Sequence, residues 1–185
     1  MIGYCFCGSF CTISRSLDVM RHLIAQGTTV LPIMNDSVYT TDTRFGKATD
    51  TVRTVETLCR RSVIHTIADA EPIGPTIRPD MLVVAPCTGN TLAKLAVGIT
   101  DSPVTMAVKA QLRSDRPVVI ALATNDALSA NLKNIGTLMS RKNIYFVPMK
   151  QDDPEKKPYS LVCDFSLLEK TMTLAAQGKQ IMPLF

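Results

Sequence analysis

The sequence has no tryptophan, two histidines (His22 and His65) and an aromatic content of 5%. So little histidine excludes a His-rich metal centre and disfavours a Ser-His-Asp mechanism. No apolar run approaches the roughly 20 residues of a membrane-spanning helix. No block of like charge stands out either. The net charge of +4 is spread over scattered Lys and Arg residues, and with few rings to stack on bases this argues against nucleic acid while favouring small anions. Paired CxxC motifs are missing, and Cys5, Cys7, Cys11, Cys59, Cys87 and Cys163 follow no disulfide framework. Cys5 and Cys7 share a strand face with Cys11 a turn away, the one arrangement with thiolate-metal potential. Against it stand the absence of a nearby His and the common use of Cys as a small buried hydrophobe, so no metal is expected. The opening MIGYCFCGSF has no basic n-region and its apolar run breaks at Gly8, which argues against a secretion signal and for a cytoplasmic address.

What is present is a 46% hydrophobic, 185-residue chain, enough for one domain spanning 1–185 with a core of its own and a greasy surface suited to a homo-oligomer. Apolar strands are expected at Ile2 to Cys7, Thr29 to Met34, Met81 to Ala85, Pro117 to Ala123 and Ile144 to Val147, with a further short one at Val63 to Ile67. They lack polar alternation, as strands covered on both faces do. Helices are expected at Thr12 to Gln26, Thr49 to Arg61, after Thr91 with Leu92, Leu95, Ala96 and Ile99 inward, from a Ser102 cap with Pro103 at its first position, at Leu128 to Arg141 with Leu132, Ile135 and Met139 inward, and from Leu161 through Ala175. Pro86 is expected to end its strand. Residues 39–48 and 151–160 read as polar loops, and the apolar tail IMPLF should dock on the body or on another chain. Strands alternating with helices predict an α/β sandwich around a mostly parallel sheet of about six strands.

Three of these strands end in small polar clusters: Gly8 and Ser9, then Thr88, Gly89, Asn90 and Thr91, then Thr124, Asn125 and Asp126. A fourth offers Asn35, Asp36 and Ser37. In an open α/β sheet these ends share one rim, where ligands bind and where glycine and helix N-termini suit a phosphate. Arg44, Lys109, Arg113 and Lys157 are the cations available for an anionic substrate, with Asn125 and Asp126 as polar rim groups that have catalytic potential.

Gly8-Ser9 after the first strand, PCTGNTLAKLAVGITDSP from Pro86 to Pro103, and Asn125 resemble the flavin-containing cysteine decarboxylase superfamily, whose turn reads Pro-Ala-Ser/Thr-Ala-Asn-Thr. The resemblance implies a Rossmann-like three-layer α/β/α sandwich, homo-oligomers and an FMN site. Gly8, Ser9 and Ser37 would lie at the phosphate and ribityl chain, and Thr88, Gly89, Asn90 and Thr91 at the isoalloxazine. Two departures separate the chain from the decarboxylases. Pro72 stands where they carry a catalytic His fourteen residues before the motif proline, and LATNDALS replaces Pro-x-Met-Asn-x-x-Met-Trp, leaving Leu122, Thr124, Leu128 and Ser129. TDTRFG, AEPIGP, TDSPV, TNDAL, MSRKNI and QDDPEKKP instead resemble the branch formed by the B subunits of dipicolinate synthases. That branch implies a dehydrogenase-like A subunit carrying NAD(P), a small dicarboxylate substrate and oxidoreductase work in a sporulating mother cell. A free-standing decarboxylase or prenyltransferase, or a scaffold for the dehydrogenase-like partner, are the other readings.

Overall fold

The computed structural model describes residues 1–185. In chain order, β1 (Ile2–Phe6) leads through a 3-10 turn at Phe10–Thr12 into α1 (Ile13–Ala25), then β2 (Val30–Met34), α2 (Asp36–Thr40), α3 (Ala48–Cys59) and α4 (Ile67–Ala70). β3 (Met81–Cys87), α5 (Gly89–Val97), α6 (Pro103–Arg113), β4 (Val118–Thr124) and α7 (Leu132–Met139) follow. The chain closes with β5 (Ile144–Phe146), β6 (Met149–Lys150), β7 (Leu161–Cys163) and α8 (Leu168–Ala175).

The sheet has seven strands in the order β2-β1-β3-β4-β7-β6, with β5 also on β4. β1 to β5 are parallel, whereas β7 runs antiparallel to both β4 and β6. One edge of β4 is thus shared: Val118 to Ile120 pair with β5, and Ala123 and Thr124 pair with β7. Alternation along the buried strands divides the core into two layers. Ile2, Tyr4 and Phe6 pack with residues of α1, α3 and α8, while Cys5, Cys7, Leu82 and Val84 pack with those of α4 to α7. This is the expected three-layer sandwich.

Buried polar bonds tie the layers to the sheet. Ser16 of α1 donates from its hydroxyl to the Ala85 carbonyl at 2.6 Å, and the Tyr4 hydroxyl reaches the Ser16 carbonyl at 3.0 Å. Burial pushes the Tyr4 phenol far above its usual range, so it stays protonated at any physiological pH. α6 opens as expected, with a reciprocal capping box between Ser102 and Thr105 and Pro103 in its first turn.

Several expectations are corrected. Pro86 does not end β3; it lies inside the strand, where its carbonyl accepts the Cys7 N–H at 3.1 Å and the pairing with β4 shifts register between Val84 and Cys87. An irregular ladder is where a residue without an N–H is tolerated. Val63 to Ile67 is reduced to a single bridge from Ile64 to Ile33. Part of the 39–48 loop belongs to α2, which begins at Asp36. α7 starts at Leu132, not Leu128, because the Asp126 carbonyl takes the N–H groups of Ser129 and Asn131 and holds a run of turns. Its inner face is Ile135 and Leu138, while Leu132 and Met139 are exposed, as is Ile99 beyond the Gly98 cap of α5. The expected last helix is split: Leu161 to Cys163 form β7, and the Asp164 side chain caps the turn that leads into α8. In the tail, Ile181 and Leu184 are buried on the body while Met182 and Phe185 face outward.

Candidate functional site

The carboxyl ends of β2, β1, β3 and β4 lie side by side and bring most of the rim residues together. At β1, Gly8 meets Ser37 of α2: a Cβ on Gly8 would stand 3.1 Å from the Ser37 Oγ. The backbone N–H groups of Gly8 and Phe10 take no backbone acceptor, while that of Ser9 turns back to the Cys7 carbonyl at 2.8 Å. The Thr12 hydroxyl donates to the Ser9 carbonyl at 2.9 Å, which holds the loop against the start of α1.

At β3, Thr88 caps α5, accepting the Thr91 N–H at 3.2 Å and donating to the Thr91 hydroxyl at 3.1 Å. Asn90 is exposed on the first turn, and the N–H groups of Gly89 and Asn90 are free of backbone partners, as at any helix start. The Asn35 side-chain amide at the end of β2 donates to the Thr91 hydroxyl at 3.4 Å, and the buried Asn35 Oδ1 has no partner. A buried acceptor left unpaired costs about 1–3 kcal/mol, so it marks a place where a ligand N–H would be welcome. The sequence places Asn35 on the rim beside Asp36 and Ser37 but gives it no role of its own. Its signal is the orphaned atom.

Beneath this turn Cys7 and Cys87 lie fully buried. Contact with Cys7 and burial push the Cys87 thiol well up, so it stays protonated; its Sγ donates to the Thr88 carbonyl at 3.6 Å. Contacts with Cys87, Thr91 and the Thr88 backbone hold the Cys7 thiol down, against its burial. Cys11 is exposed, apart from this pair, and no group of three His, Cys, Asp or Glu side chains is placed to hold a metal ion.

At β4, Asp126 holds the loop together through its carboxylate. Asp126 accepts the Thr124 hydroxyl at 2.6 Å on one oxygen and the Asn131 amide at 2.8 Å on the other, so both carboxylate oxygens organise the loop. This network sits directly on Gly89, where a Cβ would come within 2.5 Å of Asn131 Nδ2, 2.6 Å of Thr124 Oγ1 and 2.7 Å of Asp126 Oδ1. Glycine at 89 is therefore required by close packing of the two rim loops. Asn125 is exposed beside it.

The proposed cations do not converge. Arg44 lies over the Phe45 ring at 4.9 Å on an exposed loop. Lys109 and Arg113 line a groove between α6 and the 71–75 segment. That groove is at the other end of the sheet, since Arg116 just beyond α6 donates to the Arg78 and Pro79 carbonyls ahead of β3. Pro72 belongs to the same segment, its carbonyl taking the N–H groups of Thr76 and Ile77. Lys157 faces a cleft beside α1 and pairs with Asp152 at 2.9 Å.

Comparison with known proteins agrees with this architecture. The Flavoprotein family profile matches residues 1–181. The chain is 44% identical over 183 residues to the dipicolinate synthase B subunit of Bacillus subtilis (strain 168), covering 99% of this chain and 92% of that one. Flavin prenyltransferase UbiX of Neisseria meningitidis serogroup B is 29% identical over 112 residues, 56% of this chain and 59% of its own. The dipicolinate synthase B subunit from Bacillus halodurans C superposes with a TM-score of 0.90 at 41% identity, covering 99% of this chain and 94% of that one. The FMN-dependent cysteine decarboxylase SpaF shares the fold, with a TM-score of 0.70 at 23% identity over 95% of this chain and 96% of that one. The chain is a member of the Flavoprotein family and stands within it among the dipicolinate synthase B subunits.

Proposed function

We propose that this chain acts as the B subunit of a two-subunit dipicolinate synthase, oxidising a dihydrodipicolinate-type precursor to pyridine-2,6-dicarboxylate together with a dehydrogenase-like A subunit that carries NAD(P), in the cytoplasm of a sporulating mother cell. The observation that carries this reading is the near full-length match to two such B subunits, at 44% and 41% identity. No helix is long and apolar enough to cross a membrane.

The family supports a flavin, and the rim residues fit one. Gly8, Ser9 and Ser37 would hold the phosphate and ribityl chain of FMN, where the free N–H groups of Gly8 and Phe10 and the missing Cβ of Gly8 allow close approach. Thr88, Gly89, Asn90 and Thr91 would border the ring, and the buried, unpaired Asn35 Oδ1 would become an acceptor for a ring N–H. Bound flavin would supply a two-electron acceptor. The oxidation also releases two protons and needs cations for two carboxylates. Asp126 is committed to its loop on both oxygens, so it serves this reading as the group that positions Asn125 and the Gly89 turn.

The free-standing decarboxylase or prenyltransferase reading is disfavoured by Pro72, which lies in the segment against α6. Reconstitution separates the readings. This chain and its dehydrogenase-like partner are assayed separately and mixed, following dipicolinate and the visible flavin spectrum together. Dipicolinate formed only by the mixture, with flavin retained on this chain, is the expected result. Equal formation by the partner in isolation would overturn the assignment, and formation by a flavin-free mixture would reduce this chain to a scaffold.

A further inference from the structure

A cleft of about 570 Å³ opens beside the Gly8-Ser9 loop, against 170 to 290 Å³ for the other main cavities. One wall is the start of α1 from Cys11 onward. The other is β6, the 151–160 loop, β7 and the turn after it as far as Ser166. Three cations and three aspartates line it, so its charge sums to zero, yet they are not equivalent. Asp18 is paired with Arg21 at 2.7 Å and Asp152 with Lys157 at 2.9 Å. Asp164 spends one oxygen on Ser166, taking its N–H at 3.0 Å and its hydroxyl at 2.6 Å. Arg15 on one wall and Lys150 on the other form no salt bridge, although Lys150 lies near enough to Asp164 to help hold its carboxyl down. Between them the lining includes the largely buried Cys163 and Phe165.

We propose that this cleft binds a small planar dicarboxylate, with Arg15 and Lys150 each taking one carboxylate from opposite walls and the apolar floor taking the ring. The guanidinium suits a bidentate carboxylate and the ammonium a point contact. Cations on opposite walls of one pocket select two anionic groups over one, because a monocarboxylate leaves one cation unanswered. The naming of the ligand as substrate or product rests on the proposed function; the binding of a dicarboxylate here does not.

The test is calorimetric titration of the full chain with pyridine-2,6-dicarboxylate at low ionic strength, with benzoate as the one-carboxylate probe. Arg15→Gln and Lys150→Gln should each weaken dipicolinate binding about tenfold or more and narrow its preference over benzoate. Lys179→Gln, an exposed cation elsewhere, should change neither. Both cleft cations are exposed, so unchanged melting temperatures are expected. Wild-type protein that does not bind dipicolinate, or cleft variants that bind it as the Lys179 variant does, would overturn the proposal. If such variants bind normally while wild type still makes dipicolinate with its dehydrogenase-like partner, the cleft is wrong and the function stands. Expected binding losses without any dipicolinate formation would mean the reverse, a correct cleft and a wrong function.

Discussion

Asn35 at the end of β2 and Thr91 in the first turn of α5 are joined by a 3.4 Å hydrogen bond across the rim, passing over the end of β1 that lies between their strands. The Asn35 amide is spent on this bond while its buried oxygen stays unpaired. The link ties the end of β2 to the start of α5 across the rim and leaves one acceptor unpaired.

Asn35→Ala should therefore weaken FMN binding about tenfold, read by quenching of flavin fluorescence, while lowering the melting temperature little. Losing an already unpaired oxygen removes a cost as well as a contact. Undiminished FMN affinity would remove Asn35 from the site.

Gly89→Ala should be strongly destabilising. The new methyl would stand 2.5 to 2.7 Å from three side-chain atoms of Asn131, Thr124 and Asp126, which are bonded to one another and cannot yield singly. Overpacking of this kind costs about 1–3 kcal/mol, or a fall in melting temperature of roughly 2–12 °C for a chain of this size. A scan showing no shift would mean that the β4 loop moves freely.

Ser16→Ala leaves the buried Ala85 carbonyl without its 2.6 Å donor while the Tyr4 hydroxyl keeps the Ser16 carbonyl. A loss of about 1–3 kcal/mol in urea unfolding is expected.

Thiol labelling of the native protein should modify Cys11 first, the only exposed cysteine of six. Cys59 should follow slowly, its thiol pushed up to about 11 by burial. Cys11 lines the dicarboxylate cleft, so dipicolinate should slow its modification. Labelling at equal rates with and without dipicolinate would count against occupancy there.

Acid should loosen the 151–166 wall before the core. Hydrogen bonds from Lys157 hold the Asp152 carboxyl down, and those from Ser166 do the same for Asp164. A carboxylate whose folded pKa is lowered stabilises the fold above its unfolded value near pH 4, and this contribution is lost as pH falls through the lowered value. The stability difference between wild type and Asp164→Asn should thus be constant from neutral pH to about pH 5 and shrink below pH 4, monitored by thermal unfolding across that range. A difference that grows on acidification would contradict the assignment.

The rim was legible because it depends on local chemistry. Buried parallel strands show as unbroken apolar runs, and Gly8, Ser37, Thr88 and Gly89 follow them within a few residues, where caps and turns need small residues. Helix starts and the two-layer core follow the same local rules, with Ser102, Pro103 and the alternation along β1 as clear instances. The misreadings share another cause. Leu161 has helical spacing with Phe165 and Leu168, but the free carboxyl-end half of β4 pairs with it as a strand, and the Asp164 cap then restarts the helix. Pro86 is a strand breaker only where its missing N–H would be needed.

What the sequence by itself determined is therefore the alternation of strands and helices, the polar ends of the strands and the family to which the chain belongs. Which charges remain free was decided by the tertiary structure alone. Arg44, Lys109, Arg113 and Lys157 look equivalent to Arg15 and Lys150 in one dimension. Folding carries Lys109 and Arg113 to the far end of the sheet, neutralises Lys157 with Asp152, and leaves Arg15 and Lys150 facing one cleft. Pairing of charges is a through-space property that falls off over a few ångströms, and no periodicity in the chain encodes it.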